Sequence, residues 1–161
     1  MKKFLIFILG FFIGVFLFLP KNELYFLLQK ELKRQNIYIS AQTNSDITKL
    51  TLKNGSIFYE SMEVARFKTI TAFIYVLYDK IIINDLKLEI GNYKVLKAII
   101  IYSVINPFKA EITAKANFAD IKGYIDLKNR NVKLYFSKIK DFSIKRFLKK
   151  DKKGYYYYAR F

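Results

Sequence analysis

Apolar and polar positions follow three successive patterns along this chain. The first has no period. Phe4 to Leu19, FLIFILGFFIGVFLFL, is sixteen residues with no charge and no strong polar group, bracketed by Lys2-Lys3 and by Pro20-Lys21. As a helix it would extend roughly 24 Å, a little short of a hydrocarbon core of about 30 Å. Snorkelling lysines and local bilayer thinning close that gap. The run therefore predicts a membrane anchor over 1–21, with Phe4, Phe11, Phe12, Phe16, Leu19 and Pro20 among its positions. A cleaved signal peptide is the alternative. A cleavage site wants small residues just after the run, yet the run stays bulky to Pro20 and the next small residues are Ser40 and Ala41. The pattern favours an uncleaved, single-pass anchor.

The second pattern has the helical period. Over 22–36, Leu24, Leu28 and Leu32 recur at i, i+4 and i+8, with Leu27 filling the stripe and Lys33-Arg34 suiting the last turn. This predicts an amphipathic neck helix, lying on a membrane surface, plugging the end of the following sheet, or both.

From Ile37 the period drops to two. Ile37 and Ile39 alternate with Tyr38 and Ser40, and Ile47 to Leu52 leads to Asn54-Gly55, a two-residue hairpin signal, before Ile57-Phe58-Tyr59. Ile81 to Ile90 places Leu86, Leu88 and Ile90 opposite Asp85, Lys87 and Glu89, and Gly91-Asn92 marks a turn. Three cleaner runs follow: Ala110, Ile112, Ala114, Ala116 and Phe118; then Ile121, Gly123, Ile125 and Leu127; then Val132, Leu134 and Phe136. Each alternates with polar residues, as strands of an antiparallel meander with one apolar face do. Ile70 to Tyr78 and Val95 to Val104 are apolar without clean alternation; their β-branched and aromatic content leans towards strand. Phe142 to Lys150 reads as a helix and Gly154 to Phe161 as a last strand.

The fold class expected is mainly β: a transmembrane helix, a short amphipathic helix, and an antiparallel β domain over 37–161 of eight or nine strands. Such a sheet must cover its greasy face. A closed barrel, a sandwich, or a curled, groove-like sheet covered by a partner or by lipid would each do so. The positions expected on that face are Leu50, Leu52, Leu86, Leu88, Ala110, Ile112, Ala114, Ala116, Ile125, Leu127 and Leu134.

Composition narrows the chemistry. Of 161 residues, 53% are hydrophobic and 18% aromatic, too apolar for disorder. With no His and no Cys, nucleophile–base pairs and the common metal sets are missing, and the acidic residues are scattered. No phosphate loop appears. The pattern argues against an enzyme, a cofactor or a small-molecule substrate. The net charge of +16 accompanies abundant Lys, Ile, Asn, Tyr and Phe, as in chains encoded by AT-rich genomes. Attraction to anionic lipid is the next explanation. Tyr155 to Tyr158 beside Lys149, Lys150, Lys152 and Lys153 could suggest a nucleic-acid platform, but consecutive strand residues face opposite ways, so a solvated terminal strand fits better.

The order of anchor, Pro20, Leu24-Tyr25, Leu28, Glu31-Leu32-Lys33, Asn36-Ile37 and Ile39 resembles the start of type II secretion system protein N and of the AsmA-like β-groove group. Leu50 to Ile57, and Phe147-Leu148-Lys149-Lys150 with Gly154-Tyr155-Tyr156, resemble later segments of that family. The resemblance implies an inner-membrane protein with a periplasmic β domain in a secretion or lipid-handling machine, and no catalytic residues. The reading is a non-enzymatic accessory or scaffold component of an envelope transport system, with protein partners and membrane lipid around it. A lipid-binding groove is the alternative, and a basic, membrane-tethered DNA-handling protein the second.

Overall fold

A computed structural model describes residues 21–46, 48–75 and 77–161, with the side chains at 21, 22 and 24 outside that description. The anchor positions Phe4 to Pro20 lie outside the described residues. Among the described residues, no helix is long and apolar enough to cross a membrane.

The described chain is one helix and one sheet. Helix α1 (Lys21–Arg34) is followed by β1 (Ile37–Ser45), β2 (Lys49–Tyr59), β3 (Met62–Ile74), β4 (Tyr78–Leu88), β5 (Lys94–Ser103), β6 (Lys109–Ala116), β7 (Asp120–Asp126) and β8 (Asn131–Ser137). A 3₁₀ turn (Phe142–Phe147), β9 (Lys149–Asp151) and β10 (Gly154–Arg160) complete it. All ten strands form one antiparallel sheet in the order β1-β2-β3-β4-β5-β6-β7-β8-β10-β9. The sheet is open, with β1 and β9 as unjoined edges, so neither the barrel nor the sandwich forms.

Helix α1 docks by a different stripe from the one the leucine spacing predicts. Tyr25 is buried (5% exposed) in a cluster with Leu50, Leu52 and Phe67, while Gln29 Nε2 donates to the Ile39 carbonyl at 2.6 Å. Leu32 is half-buried and Leu28 is left 51% exposed. The reason is chemical: Tyr25 and Gln29 can satisfy the Ile39 carbonyl beside β1, which a leucine stripe cannot.

Two turn signals also resolve differently. Asn54-Gly55 does not close a hairpin but lies inside β2, with Asn54 in the left-handed region (φ 47°). Gly55 faces the Phe67 ring and Ala41, 2.8 Å from where a Cβ would stand, so it serves close packing. The hairpin closes at Glu60-Ser61, whose φ values of 47° and 71° meet the demand of a primed two-residue turn. The expected helix from Phe142 is only the 3₁₀ turn. Asp141 caps it by accepting the Ser143 N–H at 2.9 Å, and Lys149 to Asp151 instead pair with β10.

A crease crosses half the sheet. Asn54, Lys68, Asp85 and Leu96 fall in line by register across β2–β5, and regular pairing lapses there. Asn54 and Asp85 are left-handed, and the line ends in register shifts against β1 and β6. Each strand changes side-chain parity as it crosses. Leu50 and Leu52 give way to Ile57, Phe67 to Ile70 and Ala72, and Ile83 to Leu86, all within the sheet's apolar clusters. An extra residue of this kind flips side chains to the other face. Four aligned flips keep the greasy positions together.

Gly123 marks a second tight place. A Cβ there would collide with the Lys133 carbonyl oxygen on β8 and lie 2.8 Å from the Leu134 Cα. Gly123→Ala should therefore lower stability by about 1–3 kcal/mol, as overpacking does. Urea unfolding of the detergent-solubilised chain followed by circular dichroism measures this. An unchanged midpoint would contradict the close approach of β7 and β8.

Candidate apolar binding face

Register assembles the apolar face in rows. One row runs Leu52, Ile70, Ile83, Ala98, Ala114, Ile121, Phe136 and Tyr155. The next runs Leu50, Ala72, Ile81, Ile100, Ile112, Gly123, Leu134 and Tyr157. Each spans eight strands, or about 34 Å at about 4.8 Å per strand. The middle of the rows is small: Ala98, Ala114 and Gly123 stand between Ile83, Ile121, Leu134 and Phe136.

Most of the expected face residues belong to this surface. Leu50, Leu52, Ala110, Ala114 and Ala116 are buried, and Leu86, Leu88, Ile112, Ile125 and Leu134 half-buried. Leu127 does not belong. It is 45% exposed in the β7–β8 turn, because β7 stops at Asp126, whose carboxylate accepts the Asn129 N–H at 2.9 Å and turns the chain. Ile90 likewise lies beyond β4. Sequence reasoning missed Phe67, Ile70, Ala72, Ile83, Val95 and Ala98. The crease breaks the alternation that would have marked them, and only pairing with Ala114 across β6 places Ala98.

Burial here comes from neighbours on the same face. The cluster of Ala98, Ala114 and Ile121 is walled by Ile83, Val95, Phe118, Leu134 and Phe136, all from the sheet or its turns. Helix α1 packs chiefly on β1 and β2, with Tyr25 in one cluster with Phe67 of β3. Among the described residues, no large side chain is less than 2% exposed, as expected of a core with one layer.

The opposite face carries Ile82, Ile99 and Ile101 on β4 and β5 and is otherwise largely polar, basic and aromatic. Lys97 and Lys115 stand directly opposite each other, as do Thr113 and Lys122, and then Lys122 and Tyr135. Lys133 Nζ lies 4.9 and 4.3 Å from the Tyr135 and Tyr156 ring centres and 3.4 Å from Asp151. Its hydrogen bond with Tyr135, against the effect of burial, and then Asp151, raise its pKa. Burial pushes the Asp151 carboxyl up, but the Lys153 N–H and Lys133 outweigh this, leaving it below its usual value. This cluster fastens β9 to β8 and β10. Two recesses of about 560 and 490 Å³ open on this side, beside Tyr38 and Phe58 and beside Lys122 and Tyr124. Among the described residues, no three acidic side chains gather where a metal ion could be held.

No family model, curated protein or solved structure matches the chain.

At the β2–β3 turn end of the sheet, Arg66 forms a two-point pair with Glu63, both bonds 2.7 Å, and lies 3.4 Å from Glu89. The Arg66 hydrogen bonds, helped by Ser56, lower the Glu63 pKa from 4.5 to about 2. A depressed carboxylate stabilises the fold above its unfolded pKa and loses that contribution as pH falls to its folded one. The window is thus from 4.5 down to about 2. Glu63→Gln should lessen the fall in thermal midpoint across that window, read by circular dichroism at both pH values. Identical pH dependence in the two chains would sink the assignment.

Proposed function

We propose that this chain is a non-enzymatic, membrane-tethered lipid-handling module of an envelope transport system, whose sheet forms a groove that shields acyl chains. The supporting observation is an apolar face that continues across eight strands with, among the described residues, no second sheet over it and α1 packed only towards its β1 side. Its two rows carry almost no hydrogen-bonding side chain until Tyr155 and Tyr157, so a ligand gains only by burying apolar length, at about 25 cal/mol per Å². The small Ala98 and Ala114, between larger neighbours, leave room for a chain along the row. The basic opposite face and strand ends suit anionic headgroups. The segment at 4–19 would hold the body at an inner membrane, on its periplasmic side.

A scaffold role is the second reading. It is favoured by β1, nine residues long and, among the described residues, paired only to β2, an edge on which a strand of a protein partner could add.

Native mass spectrometry of the full chain, extracted in mild detergent from its own membranes, tests the choice. Bound phospholipid is expected, lost in Ile112→Asp and kept in Thr113→Asp, whose side chain points to the other face of the same strand. Circular dichroism checks that both variants fold. A lipid-free chain holding a protein partner would support the scaffold instead.

A further inference from the structure

Antiparallel hairpins place alternate turns at the same end of a sheet. One end of this sheet gathers the turns β1–β2, β3–β4, β5–β6 and β7–β8 and the strand end after β10, and several of these carry large exposed apolar side chains. Tyr75 and Leu77 lie in the first turn, Ile105 and Phe108 in the second, Leu127 in the third, and Phe161 ends the chain; all are exposed, Ile105 at 89%. They form one rim, because the turns are hydrogen-bonded to one another. The Val104 N–H donates to the Leu77 carbonyl at 3.1 Å, Leu127 N–H to Phe108 at 2.8 Å, and Phe161 N–H to Arg130 at 3.0 Å. Turn residues are ordinarily polar, and contiguous exposed apolar patches mark contact sites.

Cations are interleaved with this rim. Lys109, Lys128, Arg130 and Arg160 belong to the same turns and strand ends, with Lys128 Nζ 5.9 Å from the Phe108 ring centre. Of the acids at the same end, Asp46 lies 3.9 Å from Lys49, Asp126 is engaged by Asn129 and Asp79 accepts the Tyr75 N–H.

The direction of α1 adds a second, independent observation. Its last turn adjoins the opposite end, where the Glu60 N–H bonds the Asn36 carbonyl at 2.9 Å. Nine residues before Arg34, Tyr25 packs with Leu50 and Leu52, near the rim-side start of β2. The helix thus runs back across the sheet, and its first residue, Lys21, heads for the rim end. In sequence, Lys21 is preceded by the apolar run of 4–19.

We propose that this rim is a bilayer-contact edge: Leu77, Ile105, Phe108 and Leu127 enter the headgroup layer, and Lys109, Lys128, Arg130 and Arg160 engage anionic phospholipid. Separate greasy tips carrying flanking cations suit a soft anionic surface, which needs no shape match. The sheet then stands end-on to the membrane, with its apolar rows opening beside the lipid. This inference deepens the lipid-handling reading in giving the point of lipid entry, but the contact itself does not require that reading.

The chain has no cysteine, so single probes can be introduced cleanly. Ile105→Cys and Ile90→Cys, the latter 78% exposed in a turn at the opposite end, would each carry an environment-sensitive fluorophore. The full-length protein is reconstituted into phosphatidylcholine vesicles with and without phosphatidylglycerol. The expected result is a blue shift and quenching by lipid-borne quenchers at 105 but not at 90. The shift should grow with phosphatidylglycerol, and that increment should be lost in Lys128→Glu/Arg130→Glu. Water-exposed probes at both positions, or equal immersion of both, would overturn the proposal. So would a shift at 105 that persists in lipid-free detergent and grows with protein concentration, which denotes contact between copies. Bound phospholipid is read separately by mass spectrometry, so a failed rim and a failed groove give different results.

Discussion

A single-layer sheet must keep its apolar side chains on one side, and nothing packed above can rescue a strand that presents the wrong one. Side chains alternate with a period of two, so this is a demand on register. Here it is met by coordinated irregularity. The crease through Asn54, Lys68, Asp85 and Leu96 shifts four neighbouring strands together, and greasy residues on both sides of it share a face. An ion pair between Lys94 and Asp85, at 3.0 Å, bridges β4 and β5 there. A lone bulge in one strand would have sent half of that strand's hydrophobic residues to the lysine side. The α1 contact, the buried alanines and the continuity of the rows all depend on the flips staying aligned.

That constraint explains what could be read in advance. Strands β6, β7 and β8 lie beyond the crease, and their strict alternation was legible residue by residue. Strands β3 to β5 cross it, so Ile70 to Tyr78 and Val95 to Val104 read as apolar but without a face. Asn54-Gly55 had the composition of a turn because a left-handed residue beside a glycine suits a bulge as well as a hairpin. Glu60-Ser61, which does turn, carries no such signature; pairing of Tyr59 with Met62 imposes its geometry. The helix misled for another reason. A leucine stripe reports amphipathicity, but the docked side is the one on which Tyr25 is buried and Tyr25 and Gln29 bond the Ile39 carbonyl. The rim was invisible in one dimension, since its members come from turns about thirty residues apart that only topology brings together.

Charge is distributed by the same geometry. Lysines that appear scattered in sequence collect on one face because they alternate with the buried rows. Tyrosines interleave with them, so Lys133 rests against two rings while remaining paired to Asp151. The basic excess is thus segregated from the greasy face rather than mixed with it.

The order of the strands has a consequence for change over evolutionary time. From β1 to β7 every strand hydrogen-bonds only its sequence neighbours, and among the described residues no pair closes the sheet on itself. Such an object has no intrinsic size. Inserting or deleting one two-strand hairpin beyond the crease would alter the span of the apolar rows by about 10 Å. The other pairings and both edges would be left as they are. The reach of this protein is a variable that whole-hairpin duplication can tune, in the way repeat proteins lengthen by adding units.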